Sequence, residues 1–347
     1  MLLIAYGTRP EFIKLYPLIN FLEKNHIKHM TMFTGQHKDL IKEFNNLVKT
    51  PTFSLPNTFQ KGQSLNSLIS KLITNSAGII KDLNCNVIVQ GDAASTFAIA
   101  ISAFNNRKKV IHIEAGLRTN DNLSPFPEEG YRKMISKIAN FHFCPTEKDK
   151  LNLKNENIEK NVHVVGNTIV DSCNLFKNVK NIGKDLTNLV SLSTPYFLCT
   201  LHRRENSDKF KNLWRQLNKI SKSINVIYVT HPSVPDSVTN LNPRIKVLPP
   251  QSYQNMIYLI DNSKGIISDS GGIQEEAVSL RKKILIVRNN TERPETVSSG
   301  YGKIVYSDIN SNIDFLLENS LKPTEPNPFG KNVTNKIFKV LKRESLI

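Results

Sequence analysis

Residues 1–24 read MLLIAYGTRPEFIKLYPLINFLEK, and the order of properties along them decides the fold. Leu2–Tyr6 is a short apolar run without a basic leader, too brief for a signal peptide, and it reads as a first strand. From Pro10 to Lys24, Ile13, Leu15, Leu18, Ile19 and Leu22 fall mainly on one helical face, with Pro10 well placed at the helix start. The same alternation continues outward. Met30–Phe33, Val87–Gln90, Val110–Ile113, Phe141–Pro145 and Val162–Val165 are strand-like, while Leu65–Leu83, Ala94–Phe104 and residues 129–139 have helical patterns. Strands alternating with helices predict a parallel sheet covered on both faces.

The second half repeats the theme. Tyr196–Thr200, Val226–Thr230, Ile245–Leu248, Lys264–Ser268 and Ile284–Val287 are predicted strands. Asn206–Lys222, Tyr253–Ile260, Gly272–Leu280 and Ile309–Glu318 are predicted helices. The polar stretch Asn174–Thr194 reads as a linker, and Asn332–Lys342 as a last helix after the breaker Pro326-Asn327-Pro328. The organisation expected is α/β with two lobes: residues 1–170, and residues 171–330.

Composition agrees. The chain has 347 residues, enough for about two domains of ordinary size, with 39% apolar and 22% charged residues, which argues against disorder. No stretch approaches the roughly 20 apolar residues of a membrane span. The four cysteines contain no C-x-x-C pair, which speaks against thiolate metal binding. They read as reduced thiols, and the compartment implied is the cytoplasm. The net charge of +16 raises a nucleic-acid reading. Its distribution opposes that reading: 21 basic against 14 acidic residues in 1–166, and 25 against 16 in 167–347, with no basic tail or stripe.

In open α/β sheets ligands bind beyond the carboxyl ends of the strands, and the residues there are unusually polar. Gly7-Thr8-Arg9, Gly35-Gln36-His37, Gly91-Asp92 and Glu114-Ala115-Gly116-Leu117-Arg118 follow strands of the first lobe. His202-Arg203-Arg204-Glu205, His231-Pro232, Asp269-Ser270-Gly271-Gly272 and Arg288 follow strands of the second. Two such edges facing each other would make an interdomain cleft. Asp269 to Gly272 leaves a strand and opens a helix, where free N–H groups and glycine favour phosphate; the plainer reading is a helix capped by Asp269 or Ser270. Asp92, Glu114, Glu128 and Glu129 near one edge could split their pKa values and serve as acid and base; the plainer reading is surface charge. His202 and His231 titrate nearest neutrality, although a lone histidine is more often structural. Metal-type spacing, a P-loop, G-x-G-x-x-G and G-x-S-x-G are all missing, so neither a metal nor a dinucleotide cofactor is expected.

Taken together, Gly7-Thr8-Arg9-Pro10-Glu11, Gly35-Gln36-His37, Gln90-Gly91-Asp92, His112 to Arg118, Pro125-Phe126-Pro127-Glu128-Glu129, His202 to Asn206, Asp269 to Ala277 and Thr291 to Glu295 resemble the bacterial UDP-N-acetylglucosamine 2-epimerases. The eight blocks stand in order within a match from residue 3 to about residue 300, and Pro10-Glu11-Phe12 after Gly-Thr-Arg resembles the non-hydrolysing branch. The resemblance implies two Rossmann-like lobes in a glycosyltransferase-B arrangement, with the C-terminal helix, residues 331–347, packing back on the first. It implies reversible epimerisation of UDP-GlcNAc to UDP-ManNAc through a 2-acetamidoglucal, feeding surface polysaccharide synthesis, in a cytoplasmic homodimer. A UDP-sugar would be the partner, with no nucleic acid, membrane or metal.

Carried over by motif, Asp92, Glu114 and Glu128 are the acid–base candidates, and His202 assists the diphosphate. Arg9, Lys14, His231, Ser270, Gly271 and Gly272 hold the nucleotide, with Glu276 on the ribose hydroxyls. The chain departs from the family pattern at Ala93-Ala94, where hydroxyl residues are common, and at Tyr131, where Asn is common. Asp39 and Gly62 stand where some members bind a second UDP-GlcNAc through Gln and Arg. The competing readings are a hydrolysing epimerase giving free ManNAc and UDP, an epimerase of a modified nucleotide-hexosamine, a glycosyltransferase of the same fold, and a basic nucleic-acid-binding protein.

Overall fold

The structure is a computed structural model. It describes the chain except residues 37–43, 45–49, 56, 57, 61, 179–181, 232–240 and 319–325, together with the side chains of residues 204, 205 and 207. His37, Asp39, Pro232 and the side chains of Arg204 and Glu205, all singled out above, therefore lie outside the described residues. The chain divides into two units: unit 1, Met1–Ser172 with Gly330–Ile347, and unit 2, Cys173–Phe329.

Unit 1 carries β1 (Leu2–Tyr6), α1 (Arg9–Lys24), β2 (His29–Phe33), β3 (Phe53–Ser54), α2 (Leu65–Asp82), β4 (Asn86–Gln90), α3 (Ala94–Asn105), β5 (Val110–Ile113), α4 (Glu128–Ile138), β6 (Phe141–Cys144), α5 (Glu147–Asn155) and β7 (Val162–Val164). Among the described residues the sheet has seven strands, in the order β3-β2-β1-β4-β5-β6-β7, and every pairing is parallel. β1 lies inside it and buries all five residues, as a strand covered on both faces must. Its turn into α1 is closed by a capping box: the Thr8 hydroxyl accepts from Glu11 N, and Glu11 reaches back to Thr8 N.

α6 (Ile169–Lys177) and α7 (Lys184–Ser193) lead into unit 2. There β8 (Tyr196–Thr200), α8 (Phe210–Ile220), β9 (Asn225–Val229), β10 (Ile245–Leu248), α9 (Tyr253–Asn262), β11 (Gly265–Ser268), α10 (Gly271–Ser279), β12 (Ile284–Ile286), α11 (Pro294–Ser298), β13 (Gly302–Ile304) and α12 (Asp314–Leu317) follow. The described sheet is six-stranded, β10-β9-β8-β11-β12-β13, and again wholly parallel. The last helix, α13 (Val333–Arg343), belongs to unit 1. Phe338 packs on Phe21 with ring centroids 5.1 Å apart, and Asp171 accepts a 2.6 Å bond from Thr334 N.

Strand order reverses direction between β1 and β4 in unit 1, and between β8 and β11 in unit 2. Successive crossovers there leave to opposite faces and open a crevice at the carboxyl edge of each sheet. The turns after β1 and β4 carry Arg9 and Asp92; those after β8 and β11 carry His202 and Asp269.

The structure corrects some sequence expectations. Residues 174–194 are not an irregular linker, because α6 and α7 occupy much of the stretch and α7 buries Leu186 and Val190. The helix expected from Asn206 starts instead as a 3-10 turn, Arg204–Lys209, and becomes α-helical at Phe210. β3, α5, α11 and β13 were not expected. All four cysteines are free and buried.

β5 and β6 set His112 and His142 in register, both almost fully buried. Burial pushes the imidazole of His112 down to about 3 and that of His142 down to about 4. An unfolded histidine titrates near 6.5, so below that pH the unfolded chain binds more protons than the folded one. This contribution is complete above pH 6.5 and is lost as pH falls toward 4. His142→Gln should flatten the pH dependence of unfolding free energy across that window by roughly 1.4 kcal/mol per pH unit at most, one histidine's share. Urea denaturation at several pH values checks this, and an unchanged slope would show that His142 is not buried neutral.

Candidate active site

Unit 1 gathers its polar residues at the β1/β4 switch. Glu11 is 3% exposed and accepts from Gly7 N at 3.0 Å, Thr8 N at 2.6 Å, Ser95 Oγ at 2.8 Å and Thr96 Oγ1 at 2.7 Å. One carboxylate thus ties the β1–α1 turn to the first turn of α3. Gly7 admits no side chain, since a Cβ there would stand 2.0 Å from Thr34 Oγ1.

Lys14, on the same helix, puts Nζ 2.6 Å from Glu114 Oε1, and both side chains are 9% exposed. The Gln90 side-chain amide donates to the other oxygen, Glu114 Oε2. Glu114 itself has φ +66°, a left-handed conformation that few non-glycine residues adopt. Asp92, one strand over, accepts from Arg132 Nε at 2.7 Å and Nη2 at 2.5 Å. Arg132 Nη1 reaches the fully buried Glu129 at 3.2 Å. Because Arg132 lies one turn after Glu128 on α4, this fork docks the helix that carries Glu128 against Asp92. Gln90 pairs with Ile113 in the β4–β5 ladder, so Asp92 and Glu114 leave neighbouring strands at nearly the same level.

Unit 2 is organised by Asp269, which is fully buried. It accepts from His202 N at 3.0 Å, Arg203 N at 2.9 Å and Asn206 Nδ2 at 2.9 Å. Its Oδ1 is 3.4 Å from His202 Nδ1. The imidazoles of His202 and His231 stack with centroids 4.5 Å apart. Burial lowers the pKa of both rings; Asp269 opposes it in each, and for His202 the neighbouring His231 and Arg203 add to the lowering. Ser270 occupies the N-cap position of α10 without a side-chain cap bond, and Asp269 is turned toward residues 202–206. The capped-helix reading of this turn is therefore not realised by either side chain.

Two guanidinium groups border the same turn. A Cβ on Gly271 would stand 3.0 Å from Arg293 Nη1 and 3.7 Å from Arg203 Nη2. Arg293 is held by Glu275 at 2.7 Å. Burial by itself would raise Glu292, but Arg293 and Arg288 outweigh it and hold the carboxyl at about 2. A helix start with two arginines beside it suits a multiply charged anion. Among the described residues no cluster of three or more His, Cys, Asp and Glu is placed to hold a metal ion.

A sequence profile described as UDP-N-acetylglucosamine 2-epimerase matches residues 20–342. The chain belongs to the UDP-N-acetylglucosamine 2-epimerase family. It is 36% identical to the UDP-N-acetylglucosamine 2-epimerase of Salmonella borreze over 332 residues, covering 90% of this chain and 87% of that one. Its identity to the Campylobacter jejuni enzyme of the same name is also 36%, over 88% of this chain and 85% of that one. The solved structure of the Neisseria meningitidis UDP-GlcNAc 2-epimerase bound to UDP-GlcNAc matches with a TM-score of 0.86 at 32% identity, covering 99% of both chains. The Methanocaldococcus jannaschii enzyme in complex with UDP-GlcNAc and UDP gives 0.84 at 32% identity, again over 99% of both.

The sequence-predicted residues thus fall in two groups. Arg9, Lys14, Asp92, Glu114 and Glu128 stand around the unit 1 switch. His202, His231, Ser270, Gly271, Gly272 and Glu276 stand in unit 2, with Glu276 largely buried on α10. Sequence reasoning gave no role to Glu11, Gln90, Arg132, Arg203 or Arg293, and read Asp269 as a helix cap rather than as the anchor of residues 202–206. All six lie inside the family blocks or next to them, but the partners that tie them across the fold are distant in sequence: Ser95 and Thr96 for Glu11, Asp92 for Arg132 and residues 202–206 for Asp269. Gly62 is described and left-handed, at φ +82°.

Glu11→Gln tests the unit 1 anchor. An amide replaces two acceptor oxygens with one and turns a donor toward donors. It should lower the unfolding free energy by about 2 kcal/mol, the usual cost of a buried unsatisfied group. Urea denaturation reads the change, and wild-type stability would show that the four donors are not held by this carboxylate.

Proposed function

We propose that the chain interconverts UDP-GlcNAc and UDP-ManNAc without hydrolysis, by eliminating UDP and adding it back. The C2 hydrogen of an N-acetylhexosamine is weakly acidic, so its removal needs a leaving group whose departing charge is already provided for. A base takes the C2 proton, the C–H electron pair becomes the C1=C2 double bond of 2-acetamidoglucal, and the C1–O bond electrons leave with UDP. In the return step UDP oxygen attacks C1 and the double-bond electrons take a proton at the other face of C2. No hydride acceptor and no water is consumed, which separates this reading from a dehydrogenase and from a hydrolysing epimerase.

The observation that carries the proposal is the pair of carboxylates on neighbouring strand ends, each with its own cation: Asp92 with Arg132, and Glu114 with Lys14. These two carboxyl groups, with Glu128 on the helix docked to one of them, would supply base and acid for the two faces of C2. In unit 2, Ser270, Gly271 and Gly272 with Arg203 and Arg293 would take the diphosphate, with His202 and His231 beside them and Glu276 toward the ribose. Arg9 and Lys14 would complete the nucleotide set, with Lys14 also paired to Glu114. A cytoplasmic homodimer serving polysaccharide synthesis agrees with this reading.

With UDP-GlcNAc in D2O, deuterium should enter at C2 and UDP-ManNAc should accumulate, both read by NMR. Free ManNAc as the first product would replace this proposal with the hydrolysing one, and unchanged UDP-GlcNAc would remove the substrate. Asp92→Asn, Glu114→Gln and Glu128→Gln should each lower kcat by about 10²-fold or more, and near-wild-type turnover removes that residue from the acid–base set.

The diphosphate assignment is tested separately by calorimetry with UDP and by steady-state turnover. Gly271→Val pushes a branched side chain toward two guanidinium groups and the helix start, so UDP binding should weaken about tenfold or more, the scale of about 1.4 kcal/mol. His202→Ala should lower turnover far more than UDP affinity, because its interaction grows as charge builds on the leaving group. Equal losses in both quantities would make His202 a plain ligand contact.

A further inference from the structure

His112 lies in the same sequence block as Glu114 and has no part in the chemistry above, yet it is completely buried beside it. Its Nε2 is 2.8 Å from the carbonyl oxygen of Gly91. A carbonyl only accepts, so Nε2 carries the hydrogen and donates, and the ring is the neutral Nε2–H tautomer. Burial keeps it neutral down to about pH 3. The groups around it are His142 on β6, Arg118 and Asp92, and none of them makes it a proton carrier near neutral pH.

Gly91 is the residue before Asp92. Its N–H donates to Ile113 O at 3.0 Å, so both polar groups of its backbone are held by consecutive residues of β5. Gly91 has φ +76°, and a Cβ there would meet nothing within 4 Å. The glycine is needed for the left-handed turn, not for room. The residue after Ile113 is Glu114. Three successive residues therefore set the two carboxylates: His112 and Ile113 pin the turn that presents Asp92, and Glu114 follows directly.

We propose that His112 is a positioning residue for Asp92: its Nε2–H fixes the Gly91 carbonyl and so sets Asp92 relative to Glu114. The inference rests on the reading that these carboxylates act at C2, and it adds a requirement on their spacing. Misplacing a reacting group by about 1 Å costs about 10²-fold in rate, which is the sensitivity such a clamp would serve.

The test compares His112→Gln, His112→Asn and His112→Phe in the full-length protein, each shown to be folded by circular dichroism. The Gln amide nitrogen occupies the place of Nε2 and can still reach Gly91; the Asn amide is one methylene short; Phe keeps the ring volume without a donor. We expect His112→Gln to keep kcat within about fivefold, and Asn and Phe to lose about 30- to 100-fold, the scale of a misplaced reacting group. KM for UDP-GlcNAc and UDP affinity should stay within about threefold, and the limbs of the pH–rate profile should not move. Equal kcat for Gln and Asn, or near-wild-type kcat for Phe, overturns the proposal. Loss of a limb of the pH profile also overturns it, because the ring would then transfer a proton. If Phe does not fold, the Gln–Asn comparison decides alone. The two readings fail separately: wild-type protein that does not exchange C2, or a fully active Asp92→Asn, overturns the functional reading and with it the step His112 serves. Normal wild-type exchange with Gln and Asn indistinguishable overturns the positioning alone.

Discussion

A carboxylate withdrawn from water needs either a counter-charge or enough hydrogen-bond donors, and unit 1 gives a cation to two of them on neighbouring strands: Glu114, 9% exposed, and Asp92, 30% exposed. Glu114 has the Lys14 ammonium and the Gln90 amide; Asp92 has the Arg132 guanidinium, itself held by Glu129. Removing one partner from the Lys14–Glu114 pair costs several kcal/mol, because the remaining charge stays desolvated. Geometry and charge are therefore bound to each other here. The parallel register of β1, β4 and β5 brings the carboxylates to one edge, and α1 and α4 bring the cations to the same edge.

Unit 2 solves a different problem with the same means. Asp269 is buried without an ionic partner as close as those in unit 1, and three N–H groups from residues 202–206 satisfy it. The carboxylate holds the strand-end turn closed and faces one edge of the His202 imidazole. Burial, and then the stacked His231 and the nearby Arg203, disfavour a proton on that ring, while Asp269 favours one, and the net effect is a lowered pKa. An imidazole balanced in this way responds strongly to an arriving anion, since additional negative charge adds to the side that Asp269 already represents. The two arginines beside Gly271 belong to the same field.

How much of this was legible depended on distance along the chain. β1, β5 and β8 are short, mainly apolar runs, and their bounds were read directly. β3 has two residues and β13 has three, too short for any period to show. α5 buries only Asp149 and Leu153 and is set by its Thr146 capping box, which a search for apolar stripes passes over. At the site, Asp92 and Glu114 were visible because each follows an apolar strand. Their partners were not: Lys14 and Glu114 are 100 residues apart, and Arg132 and Asp92 are 40 apart. A lysine on a helix reads as solvated until the sheet order is known. Residues 174–194 failed for the opposite reason: a polar composition concealed helices whose few apolar residues suffice to bury one face.

The division of unit 1 into two stretches has a thermodynamic consequence. Residues 173–329 form, from the point of view of unit 1, one very long loop closed where Asp171 meets Thr334. While that loop is unfolded, closing it carries the entropy penalty of a chain of that length. Once it has folded, its ends are constrained and the effective loop is short. The logarithmic dependence of closure entropy on length makes the difference about 2 kcal/mol. The order in which the halves fold thus matters even without any surface between them: a folded unit 2 makes the return of α13 to unit 1 less costly, and loosening unit 2 anywhere withdraws that help.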